Sequence, residues 1–248
     1  MRNPFRHLFA RGPEAAQAAA LQRWAADHGY AFRKVRDADG CVVEGQLGTQ
    51  GWRLEWGQSQ RSYISGCELR LMAELGLPHN LMALVLNRVL MAAMEKEVYE
   101  QYVNDVQTRI DTDTPAEMRW LVMYGKLSNA DLGTLKDRFG VVGSLQPWLL
   151  QWLSPALREA LAGTIEHVRS DQPVVLTISR GRLTLRTAMP QADAGKLALW
   201  FSVFEQAVRS ATSVAAELQQ AAAVGVTPQT AAFGPSEFPR TAAPGRDV

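Results

Sequence analysis

Between Cys67 and Leu75 the side chains alternate without interruption. Leu69, Leu71, Ala73 and Leu75 fall on one side, and Glu68, Arg70, Met72 and Glu74 on the other. Trp52-Arg53-Leu54-Glu55-Trp56 repeats the pattern upstream, and Arg182-Leu183-Thr184-Leu185-Arg186 repeats it far downstream. A period of two marks strands with one dry and one wet face, the pattern of an antiparallel sheet covered on one side.

Turn signals frame these strands. Asp39-Gly40 leads into Cys41-Val42-Val43-Glu44, Gly48 and Gly51 deliver the Trp52–Trp56 strand, and Arg180-Gly181 joins a hairpin over 173–179 and 182–188. Leu81 to Leu86 is a continuous apolar run, predicted as a buried strand ending at Asn87. Asn87 then caps a helix to about Val103, striped by Leu90, Met91, Met94, Val98 and Tyr102.

Pro13 to His28 predicts a helix, with proline in its first turn, an alanine-rich body and Gly29 as its stop. Thr114-Pro115-Ala116-Glu117 has the form of a capping box and predicts a helix through Tyr124. Ser128 to Asp131 opens another helix that Gly140 ends, and the segments 147–153 and 154–163 predict two short ones. From Pro190 onward, Leu197, Trp200, Phe201, Phe204, Val208, Ala211, Ala215 and Leu218 stripe the longest helix.

The expected class is therefore α+β: a mostly antiparallel sheet of about five or six strands with helices packed on one face. Residues 1–12 read as a basic arm and 13–220 as a single α+β domain. Residues 221–248, with Pro228, Pro235, Pro239 and Pro244 among Ala, Thr and Gly, read as a disordered tail.

Charge adds one feature to this picture. The net charge is +1, but residues 1–36 carry seven Lys/Arg against two Asp/Glu, while residues 37–119 carry seven against thirteen. The basic arm suits either plain solvation or an anionic partner. The N-terminus lacks the continuous apolar core of a signal peptide, and no apolar run approaches the roughly 20 residues that span a bilayer. A soluble cytoplasmic protein with no transmembrane segment is expected.

Motif chemistry is sparse. His7, His28, His79 and His167 are scattered, and no Cys-x-x-Cys or His-Glu-x-x-His spacing offers a zinc site. Gly45-x-x-Gly48-x-x-Gly51 joins two strands, whereas a dinucleotide loop leads from a strand into a helix. Cys67 alternates with the apolar side of its strand, where a buried thiol is inert. Asp105, Asp111, Asp113 and Glu117 lack the spacing of a calcium loop. No catalytic residue, cofactor or metal site is predicted.

Two groups remain as binding candidates. Arg180, Arg182 and Arg186 line one hairpin and, with Arg53 and Arg70, could hold an anion or a partner in forked pairs. The same arginines also suit pairing with Glu55, Glu68 and Glu74 on neighbouring strands. No stacking aromatic shares their face, which disfavours nucleic acid. Trp148 and Trp152, four apart on a short apolar helix, read either as a core plug or as an anchor for partner docking.

Several segments carry a family likeness: Gly51-Trp-Arg-Leu-Glu-Trp-Gly, Tyr63-Ile-Ser-Gly-Cys-Glu-Leu-Arg-Leu-Met-Ala-Glu-Leu-Gly, Leu84-Val-Leu-Asn-Arg-Val-Leu-Met, Thr114-Pro-Ala-Glu-Met-Arg-Trp-Leu-Val-Met-Tyr and Arg180-Gly-Arg-Leu-Thr-Leu-Arg. Over residues 20 to 212 the chain resembles a group of bacterial proteins to which no activity is attached. Val89 stands where the resemblance leads one to expect proline. The resemblance implies one continuous domain and no chemistry. The functional expectation is a non-catalytic protein-binding or scaffolding module with a protein partner. Its alternatives are an enzyme using carboxylates and arginines beside the sheet, and anion or nucleic-acid binding through the Arg180–Arg186 hairpin.

Overall fold

The computed structural model describes residues 11–35, 40–103 and 114–223. They form one nine-stranded sheet. Its strands are β1 (Ala31–Lys34), β2 (Cys41–Leu47), β3 (Gln50–Gln58), β4 (Cys67–Glu74), β5 (Ala83–Asn87), β6 (Gly125–Lys126), β7 (Phe139–Gly143), β8 (Val174–Ser179) and β9 (Arg182–Ala188). Across the sheet they run β1-β2-β3-β4-β9-β8-β5-β7-β6, and every pair is antiparallel. The sheet thus exceeds the five or six strands expected.

Period-2 alternation fixes which way β3, β4 and β9 face. In register, Trp52 meets Ala73, Leu54 meets Leu71 and Leu71 meets Leu185, so one apolar layer crosses all three strands. Helices α1 (Arg11–Asp27), α5 (Gln146–Trp152), α6 (Pro155–Gly163) and α7 (Ala194–Ala223) build the core on that side. From α1 come Leu21 and Trp24; from α7 come Leu197, Trp200, Phe204 and Ala211, all buried. Arg180 (φ 52) and Gly181 (φ 77) form the turn between β8 and β9, with the left-handed pair that a two-residue hairpin requires.

The opposite face is divided. Over β8, β5 and β7 it is apolar, and α2 (Arg88–Val103) and α3 (Ala116–Met123) cover it through Leu90, Met91, Met94, Met118 and Leu121. A β-carbon on Gly140 of β7 would lie 2.1 Å from the Met91 sulfur, so bare backbone there makes room for α2. Over β1–β4 and β9 the face is polar. Helices therefore pack on both faces of the sheet rather than on one. β5, β7 and β8 are apolar on both sides because both sides are covered.

Two further expectations are corrected. The helix expected from Ser128 to Gly140 is a single turn, α4 (Asn129–Leu132), followed by a 3-10 turn; Phe139 and Gly140 belong to β7. Ser128 does cap α4 in a reciprocal box with Asp131. The capping box expected from Thr114 and Glu117 does not form: Pro115 is the cap of α3 and no side chain bonds it. Residues 1–10 of the basic arm, Asp105, Asp111 and Asp113, and residues 224–248 of the tail lie outside the described residues. The described part of α7 continues to Ala223, past the expected start of the tail at 221.

Among the described residues, no helix is long and apolar enough to cross a membrane.

Candidate functional site

The polar half-face of the sheet gathers nine charged side chains. Alternation places Arg33 on it from β1, Glu44 from β2, Arg53 and Glu55 from β3, Glu68, Arg70 and Glu74 from β4, and Arg182 and Arg186 from β9. Neighbouring strands bring opposite charges together. Arg33 meets Glu44 at 3.3 Å, Arg53 meets Glu44 at 3.2 Å and Glu55 at 2.5 Å, and Arg182 meets Glu74 at 2.5 Å. Arg70 bonds Glu55 and the amide oxygen of Gln60. Arg186 bonds Glu68 at 2.7 Å.

Exposure falls from β1 towards the Arg70–Glu68 end of this ladder, while Arg182 and Glu74 at its margin stay 56% and 65% exposed. The side chain of Arg33 is 53% exposed, Arg53 39%, Arg70 13% and Glu68 5%. The cause is the loop of residues 59–66 between β3 and β4, closed by a hydrogen bond from Ser59 N to the Gly66 carbonyl at 2.9 Å. The Ser59 hydroxyl donates to Glu68 Oε2 at 3.1 Å. Arg61 and Tyr63 of the same loop both donate to Oε1 of Glu117 on α3, each at 3.2 Å. The loop is therefore a strap tied at one side to the charged strands and at the other to the helical layer.

Glu117 is the residue that sequence reasoning misplaced. It is 3% exposed. It turns away from its own helix start because Arg61 and Tyr63 offer two donors in a buried setting, and a lone cap donor cannot compete. Its position beside Pro115 gave no hint of a partner 56 residues upstream. Burial, and then the Glu117 carboxylate, push the Tyr63 phenol far above its ordinary value.

Arg70 and Arg186 are direct register partners across β4 and β9. Burial first, then Arg186 and Arg53, draw the Arg70 guanidinium down to about 10. Its Nε is buried without a hydrogen-bond partner. A cleft of about 280 Å³ opens beside these residues, lined by Val35, Val42, Gly57, Gln58, Gln60 and the Arg53, Glu55, Glu68 and Arg70 side chains.

Of the expected anion- or partner-binding residues, the structure brings Arg53, Arg70 and Arg186 into one network and sets Arg182 at its margin with Glu74. Arg180 stands apart, exposed on the hairpin turn. Trp148 and Trp152 do not form a docking anchor. They are 4% and 0% exposed, stacked with ring centroids 5.9 Å apart, and Trp152 Nε1 donates to the Ala207 carbonyl at 3.1 Å. The α5–α7 contact buries both rings in the core. Cys41 and Cys67 lie in β2 and β4 with β3 between them. Cys41 is buried, and burial pushes its thiol up. Among the described residues, no three His, Cys, Asp or Glu side chains converge to hold a metal ion.

No protein-family model and no curated protein matches this chain. Among solved structures it is similar to the crystal structure of the mycobacterial trehalose monomycolate transport factor A, TtfA. That likeness has 9% sequence identity, covers 79% of this chain and 96% of the other, and gives a TM-score of 0.44. So distant a likeness carries no weight for function.

Proposed function

We propose that the protein is a non-catalytic binding module whose contact surface for a protein partner is the charged half-face of its sheet. The observation that carries this reading is the division of that face. The same side of one sheet is sealed by α2 and α3 over β8, β5 and β7 and, among the described residues, left without a helical cover over β1–β4 and β9. Arginine-rich surfaces with directional hydrogen-bond capacity are favoured at protein interfaces, where they set register and partner choice. The in-sheet pairs keep the arginines extended and ordered before a partner arrives, which lowers the ordering cost of association.

Site-specific cross-linking tests the reading. A photo-reactive amino acid replaces Met72 or Thr184, register partners on the charged face, or Ser202, exposed on α7 at the other side of the sheet. Cross-linking in the native cells is expected to give one protein adduct from positions 72 and 184, and no such adduct from 202. Absence of adducts from both face positions, or the same adducts from all three, overturns it.

A further inference from the structure

Glu55 lies between two guanidiniums. Arg53 Nε donates to its Oε1 at 2.5 Å, and Arg70 Nη2 donates to its Oε2. A carboxylate gripped at both oxygens by two arginines is the arrangement by which proteins recognise a foreign carboxylate, and here the chain fills it with its own. The grip is incompletely used. Arg70 leaves its Nε buried and unbonded, because Arg186, which it faces directly across the sheet, offers no acceptor. Arg53 divides itself between Glu55 and Glu44. The cleft of about 280 Å³ opens on this clamp, and Glu55 itself is 22% exposed, so it has solvent to move into.

We propose that the cleft receives a carboxylate from an extended acidic segment of the protein partner, which replaces Glu55 between Arg53 and Arg70. This rests on the binding-module reading and narrows it to one partner chemistry. Val35 and Val42 offer apolar walls for the methylenes of a glutamate, and the Gln58 and Gln60 amides can bond a partner backbone. Nucleic acid fits poorly: Trp52 and Trp56 point into the core, so among the described strand residues no ring on this face stacks a base. Exchange of one carboxylate for another leaves the charge of the clamp unchanged. The internal occupant therefore lowers the apparent affinity by the fraction of time it holds the clamp.

The test is fluorescence anisotropy with the full-length chain and a labelled Glu-Ala repeat peptide at low salt. A Lys-Ala repeat and single-stranded DNA are the competing probes. Glu55→Gln keeps the shape of the occupant and removes its charge, and is expected to tighten binding of the acidic peptide about tenfold. Arg53→Gln, at a half-exposed position, is expected to abolish that gain when combined with Glu55→Gln. Arg182→Gln, paired outside the cleft, is expected to leave it intact. Equal affinity of wild type and Glu55→Gln, preference for DNA, or equal weakening by Arg182→Gln overturns the proposal. Cross-links from positions 72 and 184 that persist undiminished in Arg53→Gln would sink the clamp alone. Absence of those cross-links in the unsubstituted face removes the wider reading as well.

Discussion

Arg186 donates to Glu68 at 2.7 Å from the neighbouring strand, with side chains only 10% and 5% exposed, on the half of the sheet face that no described helix covers. The 59–66 strap buries them, with the Ser59 hydroxyl supplying a second bond to the carboxylate. A buried pair of this kind costs desolvation on both sides, and its Coulomb attraction compensates only while both partners remain.

Removing one partner should therefore cost far more than removing both. Glu68→Ala is expected to lower unfolding free energy by about 3–5 kcal/mol, because Arg186 is left buried and uncompensated. The double variant Glu68→Leu, Arg186→Met is expected to lose much less. Urea denaturation of Glu68→Leu, Arg186→Met and the double variant completes the cycle. Additive losses would show that the pair is not coupled.

Glu117→Ala should release the strap without unfolding the sheet. It deprives Arg61 and Tyr63 of their shared acceptor, at a cost of about 1–3 kcal/mol for the unsatisfied donors. Hydrogen exchange is expected to quicken at the Ser59 and Ile64 amides, whose bonds close the loop, and to stay slow in β3 and β9. Uniform quickening throughout would mean that Glu117 supports the whole fold and not the strap in particular.

Tyr63 gives the protein an alkaline signature. Its phenol is raised above the ordinary value of 10.0 by burial and by Glu117. The folded state therefore keeps the proton to higher pH than the unfolded chain does. Its contribution to stability is fully present below pH 10 and is lost as pH rises through the folded-state value. An ultraviolet titration above pH 10 should show a tyrosine that ionises late, and Tyr63→Phe should remove that component. Persistence of the late component in Tyr63→Phe would assign it elsewhere.

Gly45→Ala should be destabilising although β2 is regular there. Gly45 is the register partner of Trp52, and an added β-carbon would lie 2.6 Å from Trp52 Cζ2 and 2.8 Å from Tyr30 Cδ1. Those rings meet edge to face with centroids 4.6 Å apart, so neither can yield freely. The expected loss is about 1–3 kcal/mol by thermal or urea unfolding, with a shift in tryptophan emission. A neutral effect would mean the ring cluster is loosely packed.

Legibility in the sequence followed exposure. β3, β4 and β9 were readable because one of their faces meets polar surroundings and the other the core, which writes the alternation into the chain. α1 and α7 were readable because each buries a single stripe. β7, by contrast, is buried throughout as Phe-Gly-Val-Val-Gly and carries no alternation, so Gly140 passed for a helix stop. β6 is two residues long and leaves no periodic trace at all.

The site divides in the same way. The pairing of strand arginines with Glu55, Glu68 and Glu74 was an available expectation, because charges on one wet sheet face must find each other. The neighbours were not available. Nothing local states that β9 lies beside β4, which is what sets Arg186 opposite Arg70, or that α3 passes close enough for Glu117 to reach Arg61.

The sequence alone determined the class of the fold, the facing of its alternating strands and the absence of any familiar catalytic motif, since each depends on residues a few positions apart. Tertiary structure decided the strand order, the sealing of half a sheet face by α2 and α3, and the burial of Trp148 and Trp152 away from any partner. Those outcomes depend on which apolar surfaces meet across long stretches of chain, and the hydrophobic effect that drives them carries no direction of its own.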